Sequence, residues 1–135
     1  MSRGIGVRAK QIEMDDTKVL YQYGPFNWNE PEYKNPDYEM DGLICIQLEC
    51  LPIIEFHERN SKKSGKIKGQ IKEIIEKHSS DEMIENGMLR IENSKYCWDK
   101  TEDTNIDTMA LKAIWNMIRR YEEEGELPKE ISLLS

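Results

Sequence analysis

The chain has 135 residues, of which 38% are hydrophobic and 33% are charged, and its formal net charge is −7. A chain of this length is expected to form a single domain, residues 1–135, that buries about two thirds of its unfolded surface. No apolar run approaches the roughly 20 residues of a membrane span, and the N-terminus lacks the apolar segment of a signal peptide. The sequence therefore predicts a cytoplasmic protein that does not contact a membrane.

The N-terminal part of the chain has the pattern of a β-hairpin. Apolar side chains alternate over residues 4–14 and again over residues 18–24, with turn-forming residues between the two arms. In the second arm, Val19, Tyr21 and Tyr23 lie on one face. Lys18, Leu20 and Gln22 lie on the other face.

The hairpin leads into a stretch that combines aromatic residues with prolines and acids. Six of the eleven aromatic residues lie between Tyr21 and Tyr38, together with three prolines. Proline removes backbone donors and fixes φ, which predicts a loop over much of this stretch. Because large aromatic rings prefer burial, such a loop either folds back onto the core or faces a partner.

Charge is distributed unevenly along the chain. Residues 11–58 contain eleven acids and two bases, whereas residues 59–78 contain seven bases and two acids. The basic run from 59 to 72 has no aromatic residue for base stacking, and the overall acidity repels nucleic acid. We therefore interpret this run as a solvated linker and expect no nucleic-acid partner. Rigid aromatic residues ringed by carboxylates instead suit recognition of a basic protein surface.

Residues 42–51 have the strongest strand pattern of the chain. Ile44, Ile46 and Leu48 lie on one face of this segment, and Pro52 follows its end. The first part of the segment is apolar on both faces, which is typical of a central strand covered by helices.

Residues 64–78 fit two patterns. Their isoleucines recur at helical spacing, but Ile67, Ile71 and Ile75 also lie on one face of a strand. The content of Lys, Glu and Gln favours a helix, which Gly69 weakens, so a strand remains the alternative.

A short helical turn and a further strand are expected next. Ser79 or Ser80 is expected to cap the turn, which runs through Asn86. Ser79 and Glu82 have capping-box spacing, and Gly87 ends the turn. Residues 88–93 predict a strand, which residues 96–98 continue after a turn.

The C-terminal helix has the clearest periodicity. Thr104 or Asp107 is expected to cap its start, and Gly125 and Pro128 end it. Trp115 lies at the centre of the apolar stripe and is predicted to be buried. The stripe consists of Leu111, Ile114, Trp115, Ile118 and Tyr121, broadened by Met109, Ala110, Ala113 and Met117.

These elements combine into an α+β domain. We expect an antiparallel sheet of about four to six strands, with the C-terminal helix packed on one of its faces. No internal repeat indicates a second domain, and the sequence does not indicate the oligomeric state.

The sequence shows no catalytic or metal-binding motif. Cys45, Cys50 and Cys97 lack the paired spacing of zinc ligands, so we expect reduced thiols, no zinc and no other cofactor. The two histidines, His57 and His78, are accompanied by no nucleophile or phosphate-binding motif. The sequence therefore predicts a protein that is not an enzyme. The alternative is a small cytosolic enzyme or regulatory protein of unknown chemistry.

Five short segments carry a family resemblance. They are DGLICI (41–46), NGMLRIEN (86–93), CW (97–98), IDTMALKAIW (106–115) and RRYEEEGELP (119–128). In these scattered blocks the chain resembles small bacterial proteins encoded beside polymorphic or contact-dependent growth inhibition toxins and assigned as their immunity proteins. The resemblance implies a cytosolic inhibitor that binds and neutralises a cognate toxin domain, often a nuclease with a basic cleft. It implies no catalytic residue and no particular binding site.

Two acidic groups are candidates for binding such a partner. Acids of the aromatic stretch are expected to meet a basic toxin surface, with Tyr33 or Tyr38 as the aromatic anchor. Glu122 and Glu123 form the second group, because acids are unfavourable at the C-terminal end of a helix and can mark a functional constraint. The acids of the first group are Glu30, Glu32, Asp37, Glu39 and Asp41.

Overall fold

The computed structural model describes residues 4–60, 67–76 and 79–134 of the chain. Five strands of these ranges form one antiparallel sheet in the order β6-β3-β2-β1-β7, and two further strands, β4 and β5, pair as a separate ribbon. The prediction of an α+β fold with a C-terminal helix on an antiparallel sheet is confirmed. The elements are β1 (Ile5–Met14), β2 (Lys18–Asn27), β3 (Gly42–Gln47), β4 (Ile53–Asn60), β5 (Ile67–Glu76), α1 (Ser80–Glu85), β6 (Leu89–Glu92), α2 (Thr108–Glu124) and β7 (Glu130–Leu134).

Alternation along the strands separates two faces of the sheet. The inner face is covered by α2, which contacts β1, β2 and β7. The outer face carries Arg8 and Lys10 of β1, and Gly24 and Phe26 of β2, which alternate with the inner-face positions. The core side chains of the inner face are Val7, Ala9, Val19, Tyr21, Tyr23, Ile44, Ile46, Leu89 and Ile131.

The predicted hairpin forms, but its second strand runs past the predicted end to Asn27. The hydrogen bond from Trp28 N to Gly4 O (2.8 Å) fixes the phase of the β1–β2 ladder, so the nitrogen of Pro25 points away from β1. β3 pairs only with the preceding part of β2. The missing N–H of Pro25 therefore removes no hydrogen bond from the sheet.

The helix favoured for residues 64–78 is wrong. Residues 67–76 form β5, which pairs antiparallel with β4, and the remaining positions of that segment lie outside the described ranges. Isoleucine has a high strand propensity and Gly69 weakens a helix, so the pairing with β4 outweighs the helical spacing. The strand predicted for residues 42–51 is also shorter than expected, because residues 48–50 form a 3-10 turn.

After β5, the structure confirms the predicted helical turn and the strand that follows it, but not the predicted continuation of that strand. The Ser79 side chain accepts a hydrogen bond from Glu82 N (3.2 Å), as the capping-box spacing predicts, and α1 and β6 follow. The strand predicted for residues 96–98 is wrong, since this segment begins in a turn and continues irregularly. Here side chains bind the backbone in place of a strand partner: Tyr96 N donates to Ser94 Oγ (3.1 Å).

The start and end of α2 follow the sequence. Asp107 is the cap, and its carboxylate accepts a hydrogen bond from Met109 N (2.9 Å). Gly125 ends the helix in the left-handed conformation, with φ 78°. No helix in the described ranges combines the length and apolarity needed to cross a bilayer.

The prediction that Trp115 is buried is wrong, because its side chain is 65% exposed. The buried face of α2 is centred on Ala110, Ala113 and Met117, and Trp115 projects from the opposite side. The small alanine side chains let the helix axis approach the sheet closely, which fixes the orientation of α2. A tryptophan at those positions would hold the helix away from the sheet.

A buried hydrogen-bonded group, which we call the Tyr23 node, joins three parts of the fold. The Tyr23 hydroxyl donates to Asp107 Oδ2 (2.9 Å) at the start of α2 and accepts from Ser94 N (2.9 Å). Burial, reinforced by the Asp107 carboxylate, raises the pKa of Tyr23 well above its usual value. Burial also raises the pKa of Asp107, although the hydrogen bonds from Tyr23 and Met109 N oppose that rise.

We expect Trp115→Ala to change the free energy of unfolding by no more than about 0.5 kcal/mol, because an exposed side chain loses little packing. Ile114→Ala, one residue away on the buried face, is expected to cost about 2–5 kcal/mol. Urea unfolding of both variants measures the difference. A loss of several kcal/mol for Trp115→Ala would contradict the observed orientation of α2.

We expect Tyr23→Phe to lower the free energy of unfolding by about 2–3 kcal/mol, because it removes one bond from a buried carboxylate and another from a buried N–H. Tyr21→Phe is the matched control. It removes a single bond, from the Tyr21 hydroxyl to Pro128 O (2.6 Å), and should cost about 1 kcal/mol. Equal losses in the two variants would show that the Tyr23 node has no special role.

Candidate protein-binding surface

The segment between β2 and β3, residues 28–41, folds back over the outer face of the sheet, and we call it the acidic aromatic loop. Its backbone lies directly against β2 at Gly24, where any Cβ would collide with Glu39 O. Only glycine permits so close an approach of two backbones. The close contact at Gly24 therefore fixes the position of the loop on the sheet.

Asn35 holds the loop in its conformation from within. Its side chain is 2% exposed and makes three hydrogen bonds, donating to Pro25 O (3.2 Å) and Glu39 O (2.8 Å) and accepting from Glu39 N (2.8 Å). Asn35 and Tyr38 both have positive φ angles, 47° and 55°. Asparagine tolerates this conformation better than most residues, so the tight turn is compatible with the sequence at Asn35.

The aromatic residues at the two ends of the loop form a cluster on the outer face. The Phe26 ring is buried between Trp28, stacked at 5.4 Å between centroids, and Tyr38, edge-on at 6.4 Å. The Arg8 guanidinium lies 3.7 Å from the centroid of the Tyr38 ring, within the range of a cation–π contact. Trp28 and Tyr38 remain 49% and 42% exposed. The cluster thus presents two half-exposed rings on a rigid base.

Three acids of the loop are exposed to solvent. Glu30 and Glu32 flank the start of a 3-10 turn, and Asp37 follows it. None of the three carboxylates forms a hydrogen bond or an ion pair with a described residue. They contribute negative potential next to the exposed rings, and no described residue neutralises them.

The other two acids of the loop are engaged internally. The Glu39 carboxylate is 2.9 Å from Lys95 Nζ and accepts a hydrogen bond from the Tyr96 hydroxyl (3.1 Å). Both contacts lower the pKa of Glu39, and the contact with Lys95 has the larger effect. Asp41 accepts from Ser94 Oγ and from Lys95 N (3.1 Å). Both acids therefore attach the loop to the segment after β6, and their predicted role in binding a partner would compete with these bonds.

The remaining predicted residues are Tyr33, within the loop, and two glutamates of α2. Tyr33 is half-buried, with its ring centroid 6.5 Å from that of Trp98, so it is less accessible than Tyr38. Glu122 and Glu123 belong to α2 on the inner side of the sheet, and Glu123 forms an ion pair with Arg119 (3.5 Å). The structure therefore does not bring these two glutamates together with the aromatic cluster, which lies on the outer face.

Groups with catalytic or metal-binding potential are scattered. His57 lies in β4, and His78 lies outside the described residues. Cys45, Cys50 and Cys97 are free thiols, and burial raises the pKa of Cys50 to about 11. Within the described ranges, no three His, Cys, Asp or Glu side chains are grouped as a metal site would require.

Sequence reasoning missed the residues that give the surface its shape. Arg8 lies in a strand far from the loop in sequence, and no pattern links it to Tyr38. Asn35 and Gly24 carried a weak signal, since both residue types favour turns and close backbone contacts. Their partners could not be inferred without the sheet register.

Comparison of the chain with protein-family models, with curated proteins and with solved structures finds no match.

We expect Asn35→Gly to lower the free energy of unfolding by about 2–3 kcal/mol, because glycine tolerates the positive φ but removes three partly or fully buried hydrogen bonds. Asn105→Gly is the matched control. Asn105 also has a positive φ, 60°, but its exposed side chain makes no hydrogen bond with a described residue, so its replacement should change stability by no more than about 0.5 kcal/mol. Denaturant unfolding measures both values, and equal effects would refute the anchoring role of Asn35.

Proposed function

We propose that this protein is a cytoplasmic immunity protein that binds and neutralises a cognate toxin domain. The observation that carries the proposal is the acidic aromatic loop. It combines two half-exposed rings, Trp28 and Tyr38, with three exposed acids that pair with no described residue, and internal hydrogen bonds hold it in place. Rigid aromatic anchors beside uncompensated charge are characteristic of tight protein–protein interfaces.

The expected partner has a basic surface. The exposed acids Glu30, Glu32 and Asp37 favour the approach of a positively charged domain, and the net charge of −7 adds to this attraction. A nuclease domain fits this description, because its active-site cleft must attract phosphates. Inhibition would then follow from occlusion of that cleft and would need no chemical step by the inhibitor. The resemblance of residues 41–46, 86–93 and the segments around α2 to immunity proteins supports the same proposal.

The first experiment tests the biological role. The gene directly upstream is sequenced first, and if it encodes a large secreted protein with a variable C-terminal domain, that domain is the toxin candidate. Its expression in the cytoplasm should stop growth, and co-expression of this protein should restore growth. Continued growth arrest despite a soluble, folded inhibitor would overturn the proposal.

The second experiment tests the surface by binding kinetics against that toxin domain. We expect the triple variant Glu30→Ser, Glu32→Ser, Asp37→Ser to lower the association rate and to weaken its dependence on salt. We expect Tyr38→Ala to raise the dissociation rate about tenfold or more, as for an anchor worth about 2 kcal/mol.

A charge-matched control separates a local effect from an overall one. Glu13, Asp16 and Glu49 are exposed acids at the opposite end of the β1–β2–β3 sheet region, so the triple Ser variant at these positions removes the same charge far from the loop. It should leave both rates nearly unchanged. If both triple variants bind alike, the interface lies elsewhere, and Glu122 and Glu123 become the next acids to replace.

A further inference from the structure

The strand β7 lies at one edge of the sheet. It is the last strand of the five-stranded sheet, and among the described residues it pairs with β1 alone. The hydrogen bond from Gln11 N to Lys129 O (2.8 Å) fixes the phase of this ladder. By alternation, residues 131 and 133 bond to β1, while the N–H and C=O groups of Glu130 and Ser132 point away from the sheet. Such an edge can accept an additional strand.

A cleft of about 760 Å³ follows this edge. Its lining includes Ser132 from the outer face and Ile131 and Leu133 from the inner face, so the cleft must pass around the open side of β7. Asn116 and Arg120 of α2 form one wall. The volume lies in the range of ligand-binding clefts, which is about 300–1,000 Å³.

The cleft is basic, although the protein as a whole is acidic. Among the described residues that line it, Arg8, Lys10 and Arg120 are basic, and Glu130 is the one with a carboxylate. Lys10 and Glu130 are 3.9 Å apart and both are more than half exposed, so this pair is weak. The guanidinium groups of Arg8 and Arg120 form no hydrogen bond or ion pair with a described residue, and Arg8 is fixed by its stacking on Tyr38.

We infer that β7 is a docking site for an extended acidic peptide segment, which adds to the sheet as a sixth strand. The outward backbone groups of β7 supply the main-chain hydrogen bonds, as in other cases of strand addition. Side chains of the added strand alternate between the two faces. Acids on one side meet Arg8 and Lys10, and acids on the other side meet Arg120. The segment that fits β7 has about the length of β7 itself, five residues.

A second copy of this chain is a poorer occupant. Antiparallel pairing of two β7 edges about Ser132 would bring the Arg8, Lys10 and Arg120 groups of both copies toward one another. Like charges placed across an interface are unfavourable. The charge of the cleft therefore selects an acidic partner over self-association.

Two labelled peptides test this inference. One has the length of β7 and carries glutamates at neighbouring positions, so that acids fall on both faces of the added strand, and the other has lysine in place of each glutamate. In fluorescence anisotropy at low salt, the glutamate peptide should bind and the lysine peptide should not. Backbone N-methylation of the glutamate peptide at alternate residues should abolish binding, because it removes the donors that face β7. This readout requires no change to the protein.

Variants of the protein locate the site. Ser132→Pro removes an outward N–H that β1 does not use, so the edge strand should remain folded while peptide binding weakens at least about tenfold. Arg120→Gln should weaken binding about fivefold and reduce its salt dependence. Arg119→Gln, which makes the same charge change on the neighbouring residue outside the cleft, is the control and should have little effect. The triple Ser variant of the acidic aromatic loop should also bind the peptide normally.

Three results would overturn the inference. Equal binding of the glutamate and lysine peptides would remove the electrostatic argument. Unchanged binding by the N-methylated peptide would exclude strand addition. Sedimentation analysis showing a dimer that Ser132→Pro converts to a monomer would assign the edge to a second copy of the chain.

Discussion

The fold depends on one buried hydroxyl, that of Tyr23. It joins the middle of the sheet to the first turn of α2 through Asp107, and to the segment after β6 through Ser94. Ser94 and the neighbouring Lys95 N in turn hold Asp41, at the end of the acidic aromatic loop. A continuous series of hydrogen bonds therefore runs from the inner face of the sheet to the surface on its other side. Each polar group in this series is hydrogen-bonded to the next. Removing one group leaves a buried partner without a hydrogen bond, and this lowers the free energy of unfolding by more than the bond itself contributes.

The two faces of the sheet are stabilised in different ways. On the inner face, Ala110 and Ala113 let α2 pack closely, and this packing leaves Trp115 in solvent. On the outer face, no helix of the described ranges lies over β1 and β2, and the acidic aromatic loop covers them, with Phe26 buried at its centre. A loop that is part of the packing of the sheet can present aromatic rings to solvent without collapsing. The rings that remain exposed are therefore held where the fold places them.

The sequence predicted what local periodicity and capping determine: the hairpin, the α+β class, the capping of α1 by Ser79 and the limits of α2. It failed where two local patterns compete and distant contacts decide. Residues 67–76 satisfy both helix and strand spacing, and pairing with β4 decides between them. Trp115 fits the apolar periodicity of α2, but the close packing of the alanines at positions 110 and 113 determines which face of the helix points to the sheet. Of the candidate surface, the sequence indicated the aromatic and acidic residues but not their contacts. The stacking of Arg8 on Tyr38 depends on a register that no single segment encodes.

The acids of the acidic aromatic loop fall into two groups, which differ in whether they form hydrogen bonds or ion pairs with described residues. The carboxylates of Glu39 and Asp41 bind the segment after β6 and so fix the loop. Those of Glu30, Glu32 and Asp37 are exposed to solvent. A mobile acidic loop would attract a basic partner equally well, but it would lose conformational entropy on binding and so bind more weakly. Because internal hydrogen bonds order this loop in the folded protein, the exposed acids would act on the rate of association in the proposed complex. The half-exposed rings would act on the lifetime of that complex.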